Sequence, residues 1–226
     1  MLSENPQPFA IVPDDLTSLS LRFALNGQGP VTGSTGQLAV ALAVEPSLQP
    51  PAPAVCTPRL VINEVDYDQP GSDTAEFIEL YNAGACEIST VALVLVLRNG
   101  FSTPAPAYAQ IALDAAGPVI PAGAYVVVGA PSVLSTLPVG VLGVALGGTA
   151  IQNGNPDGIH VEQAGQILDA MSYGGVVPGV TETASAPVDP GAGSLGRCPD
   201  GADTNDGSVD FLLSATMTPG AANICP

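Results

Sequence analysis

The chain has 226 residues, of which 46% are hydrophobic and 11% charged, and 21 acids against 4 basic residues give a net charge of −17. That apolar content suffices for a packed core and excludes a disordered acidic tail. The charge excludes direct binding to nucleic acid, because that affinity comes from Lys and Arg neutralising phosphates.

The cations are Arg22, Arg59, Arg98 and Arg197, and the first reading of the acids is that they keep an apolar-rich surface soluble. The 26 glycines and 23 prolines favour short strands and frequent turns. The opening MLSENPQPF lacks the basic start and apolar core of a secretion signal. A secreted protein would therefore be represented here by a mature or excised piece.

Two strand-like runs come first, Leu16–Leu25 and Gln37–Glu45, separated by the turn-rich NGQGPVTGSTG. Two strands alone are marginal in water, so residues 1–45 read as a β segment, the end of a preceding domain or a docked hairpin. Pro46–Pro58 (PSLQPPAPAVCTP) is a stiff, extended linker. Residues 59–226 then form the main domain. Its strands are expected at Leu60–Asp66, Glu76–Asn82, Val91–Arg98, Ala107–Leu113, Tyr125–Gly129, Ile159–Glu162, Ile167–Ser172 and Ser208–Leu213. In EFIELYN, Phe77, Glu79 and Tyr81 should face one way and Ile78 and Leu80 the other. No helix and no internal repeat is predicted. Ala115–Pro156 is uncharged, but Pro118, Pro121, Pro131 and Pro138 interrupt it, so it is not a membrane span. The predicted fold class is an all-β antiparallel sandwich.

From about Arg59 to Cys225 the chain resembles the lamin tail domain family in its bacterial extracellular form. Five segments carry the likeness: LVINEVDYDQPGSDTAEFIELYNAG, PAGAYVVVG, IQNGNPDGIHVEQAGQILDAMSYGG, SLGRCPDGADTNDGSVDFLL and TPGAANIC. The resemblance implies an immunoglobulin-like sandwich of about nine strands. It also implies a non-catalytic interaction surface, as in animal lamins, or an adhesion or targeting module attached to secreted or surface proteins such as nucleases and phosphatases. The chain departs from nuclear lamins in having no basic patch, no coiled coil and four cysteines, which argues against a nuclear role.

Two acidic loops are calcium candidates, one with Asp66, Asp68 and Asp73, the other with Asp200, Asp203, Asp206 and Asp210. Calcium takes six to eight hard oxygens in flexible geometry, which loops of Asp, Asn and Gly supply. DGADTNDGSVD is not in EF-hand register. The competing expectation is that these Asp cap turns or pair with Arg59 and Arg197. A shared site would require the two loops to converge. Glu64, Glu76 and Glu79 are expected as solvated strand-face charges, with Glu76 and Glu79 on opposite faces. His160, the single histidine, reads as a surface strand residue. AMSYG around Ser172 and AGSLG around Ser194 miss the nucleophile-elbow pattern and precede no expected helix. Tyr67 and Tyr173 adjoin loops and could form a small contact site, whereas Phe77, Tyr81, Tyr125 and Phe211 suit the core.

Cys56, Cys86, Cys198 and Cys225 form no CxxC pair, which disfavours zinc. Two disulfides in a secreted or cell-surface protein are expected, against four reduced buried thiols as the alternative. Cys56 and Cys225 flank the sandwich and are expected to pair, leaving Cys86 with Cys198. The functional expectation is non-catalytic attachment to a protein or cell-surface partner. The alternative is an accessory targeting domain of a larger secreted hydrolase.

Overall fold

The computed structural model describes residues 56–154 and 156–226. The expected N-terminal strands and all of the linker before Cys56 lie outside them. The described residues all belong to one compact unit.

The strands in chain order are β1 (Leu60–Asp66), β2 (Phe77–Asn82), β3 (Ile88–Ser89), β4 (Leu93–Asn99), β5 (Ala107–Ala112), β6 (Val119–Ile120), β7 (Tyr125–Gly129), β8 (Leu142–Ala145), β9 (Asp157–Gln163), β10 (Gln166–Tyr173), β11 (Ser194–Arg197) and β12 (Phe211–Ser214). Two single helical turns, α1 (Pro131–Leu134) and α2 (Gly207–Asp210), and a 3-10 turn at Leu113–Ala116 complete the described elements. One sheet has the order β12-β11-β1-β2-β7-β8, a second β10-β9-β4-β5, and β3 pairs with β6. The pairings are antiparallel except β7 with β8, which is parallel. The fold is thus an all-β sandwich.

One apolar core joins the two large sheets. Leu60, Ile62, Ile78, Leu80, Val126 and Val128 pack from one, and Leu95, Leu97, Ile159, Val161 and Met171 from the other. Each such side chain, fully buried, contributes about 1.5–3 kcal/mol of transfer free energy. The alternation expected in β2 is present. Ile78 and Leu80 enter this core, while Phe77 joins Val127 and Val133 in a separate cluster. In β1 the pairing with β2 slips between Ile62 and Glu64. This bulge resets the period, so Ile62 and Val65 both enter the core although three positions apart.

The eight expected strands are found with small shifts at their ends, apart from Ser208–Leu213. There the Asp206 carboxylate accepts the Ser208 N–H and winds residues 207–210 into α2 before the strand begins at Phe211. Strands β3, β6, β8 and β11 escaped the sequence reading. They have two to four residues each, too few to display a period. At Gly193 (φ +116°) a Cβ would collide with the Ser214 carbonyl, so glycine is what lets β11 and β12 close together.

The strand registers define two poles. Leu60 of β1 faces Asn82 of β2, and β11 runs antiparallel to β1, bringing Arg197 toward that same end. Cys56, Cys86, Cys198 and Cys225 gather at this proximal pole as the disulfides Cys56–Cys86 and Cys198–Cys225. This corrects the expected pairing. Antiparallel β1 and β2 bring the residue before one strand beside the residue after the other. The C-terminal tail returns alongside β11, where Asn223 Nδ2 donates to the Asn63 and Arg197 carbonyls. The opposite, distal pole carries the β1–β2 loop and the segments before β9 and β11. Asn153, ahead of β9, donates to Asp68 and Asp73 in the β1–β2 loop. Among the described residues no helix is long and apolar enough to cross a membrane.

Candidate functional site

The second acidic loop lies at the proximal pole, around a fully buried Arg197. Its guanidinium donates to the carbonyls of Ile62 and Ala202 and to the carboxylates of Asp169, Asp203 and Asp210. It also lies 4.6 Å from the Phe211 ring centre. Asp203 reaches Arg59 as well, at 3.8 Å. Asp200 accepts from the Tyr125 hydroxyl and the Asn223 N–H, and Asp206 caps α2. Asp203, Asp206 and Asp210 therefore make the ion pairs and turn caps that competed with the calcium expectation, while Asp200 is bonded to Tyr125 and the C-terminal tail. Asp169, which the sequence reading passed over, accepts the Ile62 N–H at 2.6 Å, at the β1 bulge. Burial raises its pKa to about 6 despite Arg197. At Asp210 burial pushes upward too, but the Thr204 hydrogen bonds and Arg197 together hold it below the usual carboxylate range. Asp169, Glu182 and Asp203 bring oxygens within 4.8 Å of one another, but the cation Arg197 already bonds two of the three.

Glu64, Glu76 and Glu79 are not solvated. They are 1%, 4% and 0% exposed. Glu76 accepts the Ile151 N–H, away from the other two. Glu64 and Glu79 stand opposite each other on β1 and β2, beneath the C-terminal tail. Thr218 donates its N–H and hydroxyl to Glu64, Gly220 donates its N–H to Glu79, and Ser194 and Asn63 supply one bond each. Burial, opposed by these donors, raises Glu64 and lifts Glu79 to about 8. Alternation correctly put Glu79 on the outer face, but the tail that covers it is a tertiary feature.

His160 is likewise 0% exposed, not a surface residue. It lies between Val96 and Ala170 across the strands, and Nε2 contacts Glu162 at 3.2 Å. Burial lowers its pKa, with Glu162 pulling the other way. Ser172 is bonded to Thr181 and Ser194 to Glu64. Neither serine reaches His160.

At the distal pole, Asp66 accepts from Gln69 Nε2 and Asp73 from the Gln69 N–H. Asn153 Nδ2 bridges Asp68 and Asp73 at 3.2 and 3.0 Å. The loop is joined by Asp189, which the sequence reading missed. Asp189 donates its N–H to the Tyr67 hydroxyl, and its carboxylate accepts the Gly191 N–H. Tyr67 and Tyr173 are not a surface contact site. They stack inside the sandwich with ring centres 4.0 Å apart, at 1% and 0% exposure. The two acidic loops thus occupy opposite poles and share no site. Three exposed apolar side chains lie on loops toward the distal pole. Phe101 follows Gly100, which bonds Pro156; Val176 follows Gly175, which packs on Pro156; Val188 precedes Asp189. They are 89%, 68% and 55% exposed.

No family model matches the chain, and no curated protein matches it.

Proposed function

We propose that residues 59–226 are a lamin-tail-like, immunoglobulin-like module of a secreted or surface bacterial protein, acting without catalysis to attach it to a protein or cell-surface partner. The carrying observation is the polarity of the sandwich. Residues 56–59 and the last residues meet at the disulfide-bearing pole, while the opposite pole presents loops with exposed Phe101, Val176 and Val188 beside carboxylates. Rigid scaffolds that carry function on loops follow this plan. The two disulfides are compatible with an extracellular location. The accessory-domain alternative uses the same surface and differs only in what is tethered at the proximal pole.

The test pairs a retention assay with a substrate panel. Labelled protein is expected to be retained on bacterial envelope preparations, and Phe101→Ser to lower retention at least tenfold with an unchanged melting temperature. Phosphomonoesters, phosphodiesters and carboxylic esters are expected to remain intact. Turnover that disappears in His160→Ala would overturn the non-catalytic reading.

A further inference from the structure

A strand at the edge of a sheet leaves a row of backbone N–H and C=O groups for another strand to pair with. Proteins blunt such edges with short length, bulges, inward-pointing charges or a covering segment. The two large sheets end in β12 and β8, and in β10 and β5. β12 and β8 have four residues each. Along β10 a bulge interrupts the ladder between Ile167 and Asp169, and Asp169 points a charge inward to Arg197. Ala186 closes the far end of β10, donating its N–H to the Ser172 carbonyl. β5 has none of these devices. Its six residues, Ala107–Ala112, include no charge and no proline, and its pairing with β4 is regular from Ala109 to Ala112. Among the described residues no strand pairs with its outer side.

The core is also unfinished on this side. Tyr108, Ala109 and Ile111 of β5 and Leu142 of β8 pack on it yet stay partly exposed, whereas Leu93, Leu95 and Leu97 of the neighbouring β4 are buried. β8 lies against the Leu113–Ala116 turn that follows β5, so both strands rim the same opening. Charge is sparse here. In a chain of net charge −17, the stretch from Asn99 to Pro156 holds one charged residue, Asp114. Arg98, which pairs with Ala107, marks one end of β5; Asp114, in the turn after Ala112, marks the other.

We propose that β5 pairs antiparallel with β5 of a second copy, making a symmetric dimer in which the sheet β10-β9-β4-β5 continues across the two-fold axis. Such a contact is isologous, so one edge supplies both halves. Antiparallel self-pairing sets the Arg98 end of each copy beside the Asp114 end of the other. It covers the partly exposed Tyr108, Ala109 and Ile111, and it is where two strongly acidic copies meet with least like charge. A basic partner would be drawn to the acidic remainder of the surface instead. A single edge is small for an interface, so the dimer is weak and concentration-dependent. The paired strands run in opposite directions, which points the two distal poles away from each other. The dimer does not depend on the attachment reading. A monomer retained on envelopes removes the dimer alone, and a dimer that is not retained leaves it standing.

Sedimentation of the full chain over a concentration series tests it. A reversible monomer–dimer equilibrium is expected, with β5 amides exchanging more slowly at high than at low protein concentration. Gln110 is exposed near the middle of the strand. Gln110→Glu brings two added carboxylates together near the axis and is expected to weaken association by about tenfold or more, with an unchanged melting temperature. Asp114→Arg is expected to weaken it as well, by setting a second cation beside Arg98. Ile167→Glu, the same added charge on the β10 edge, should leave association unchanged. A monomer at every concentration, β5 amides equally protected at all concentrations, or full association retained in Gln110→Glu and Asp114→Arg overturns the proposal.

Discussion

Arg197 and the acids around it show how much can depend on one side chain. It is fully buried and bonded to three carboxylates and two carbonyls. Truncating it leaves Asp169 and Asp210 buried without a counter-charge, a change that typically costs about 3–5 kcal/mol. Arg197→Ala is expected to lose that much in urea unfolding, and Arg197→Lys to recover only part, because a lysine lacks the planar fork that serves several acceptors at once. A loss below about 1 kcal/mol, the scale of an exposed pair, would mean that the network is solvated. Sequence reading did suggest Arg197 as a partner for the acidic loop. It did not suggest Asp169, which is 28 residues away in the chain and has no local signature.

At the scale of elements, the C-terminal tail is the piece with the most to lose. It has no regular structure after β12, and it is held by Glu64, Glu79 and Asn63 through hydrogen bonds and by the Cys198–Cys225 bond. That bond closes a segment with a sequence separation of 27, worth about 3.5 kcal/mol through restriction of the unfolded chain. The double variant Cys198→Ser, Cys225→Ser is expected to lose about that amount. It should also expose the backbone amides of Thr218 and Gly220 to hydrogen exchange. Continued protection of those amides would show that the carboxylates alone hold the tail. Non-reducing peptide mapping should recover Cys56 with Cys86 and Cys198 with Cys225. The expected pairing of Cys56 with Cys225 came from sequence flanks alone, and a flank does not say where an unpatterned tail goes.

Across the whole molecule, an excess of buried carboxylates sets an unusual pH dependence. Burial raises Glu79 to about 8, Asp66, Glu76 and Glu182 to about 7, and Asp169 to about 6. Each holds its proton more tightly folded than unfolded. Between the ordinary carboxylate range and pH 8 the folded state therefore binds more protons, and stability falls as pH rises. The contribution of these groups is complete below their unfolded values and lost through their folded ones. Asp210 works in the opposite sense: its contribution is present above its unfolded value and lost as pH falls through its lowered one. The melting temperature in EDTA is expected to be higher at pH 5 than at pH 8, with a shallower slope in Glu79→Gln. A flat or rising profile would show that the carboxylates are ionised and hydrated in the fold.

The sequence by itself determined the sandwich and most of its longer strands. Apolar strand runs bounded by turn residues are local properties, and five to eight residues suffice to display them, as β1, β2, β4, β5, β7, β9 and β10 do. It also determined which acids and cysteines were available. Only the tertiary structure decided their use. It sent the two acidic loops to opposite poles, filled one with Arg197, added Asp189 to the other and laid the tail across Glu64 and Glu79. Those outcomes depend on register, on the β1 bulge and on contacts between residues more than 100 positions apart. The side chains involved carry no periodic pattern, because what buries them is another part of the chain.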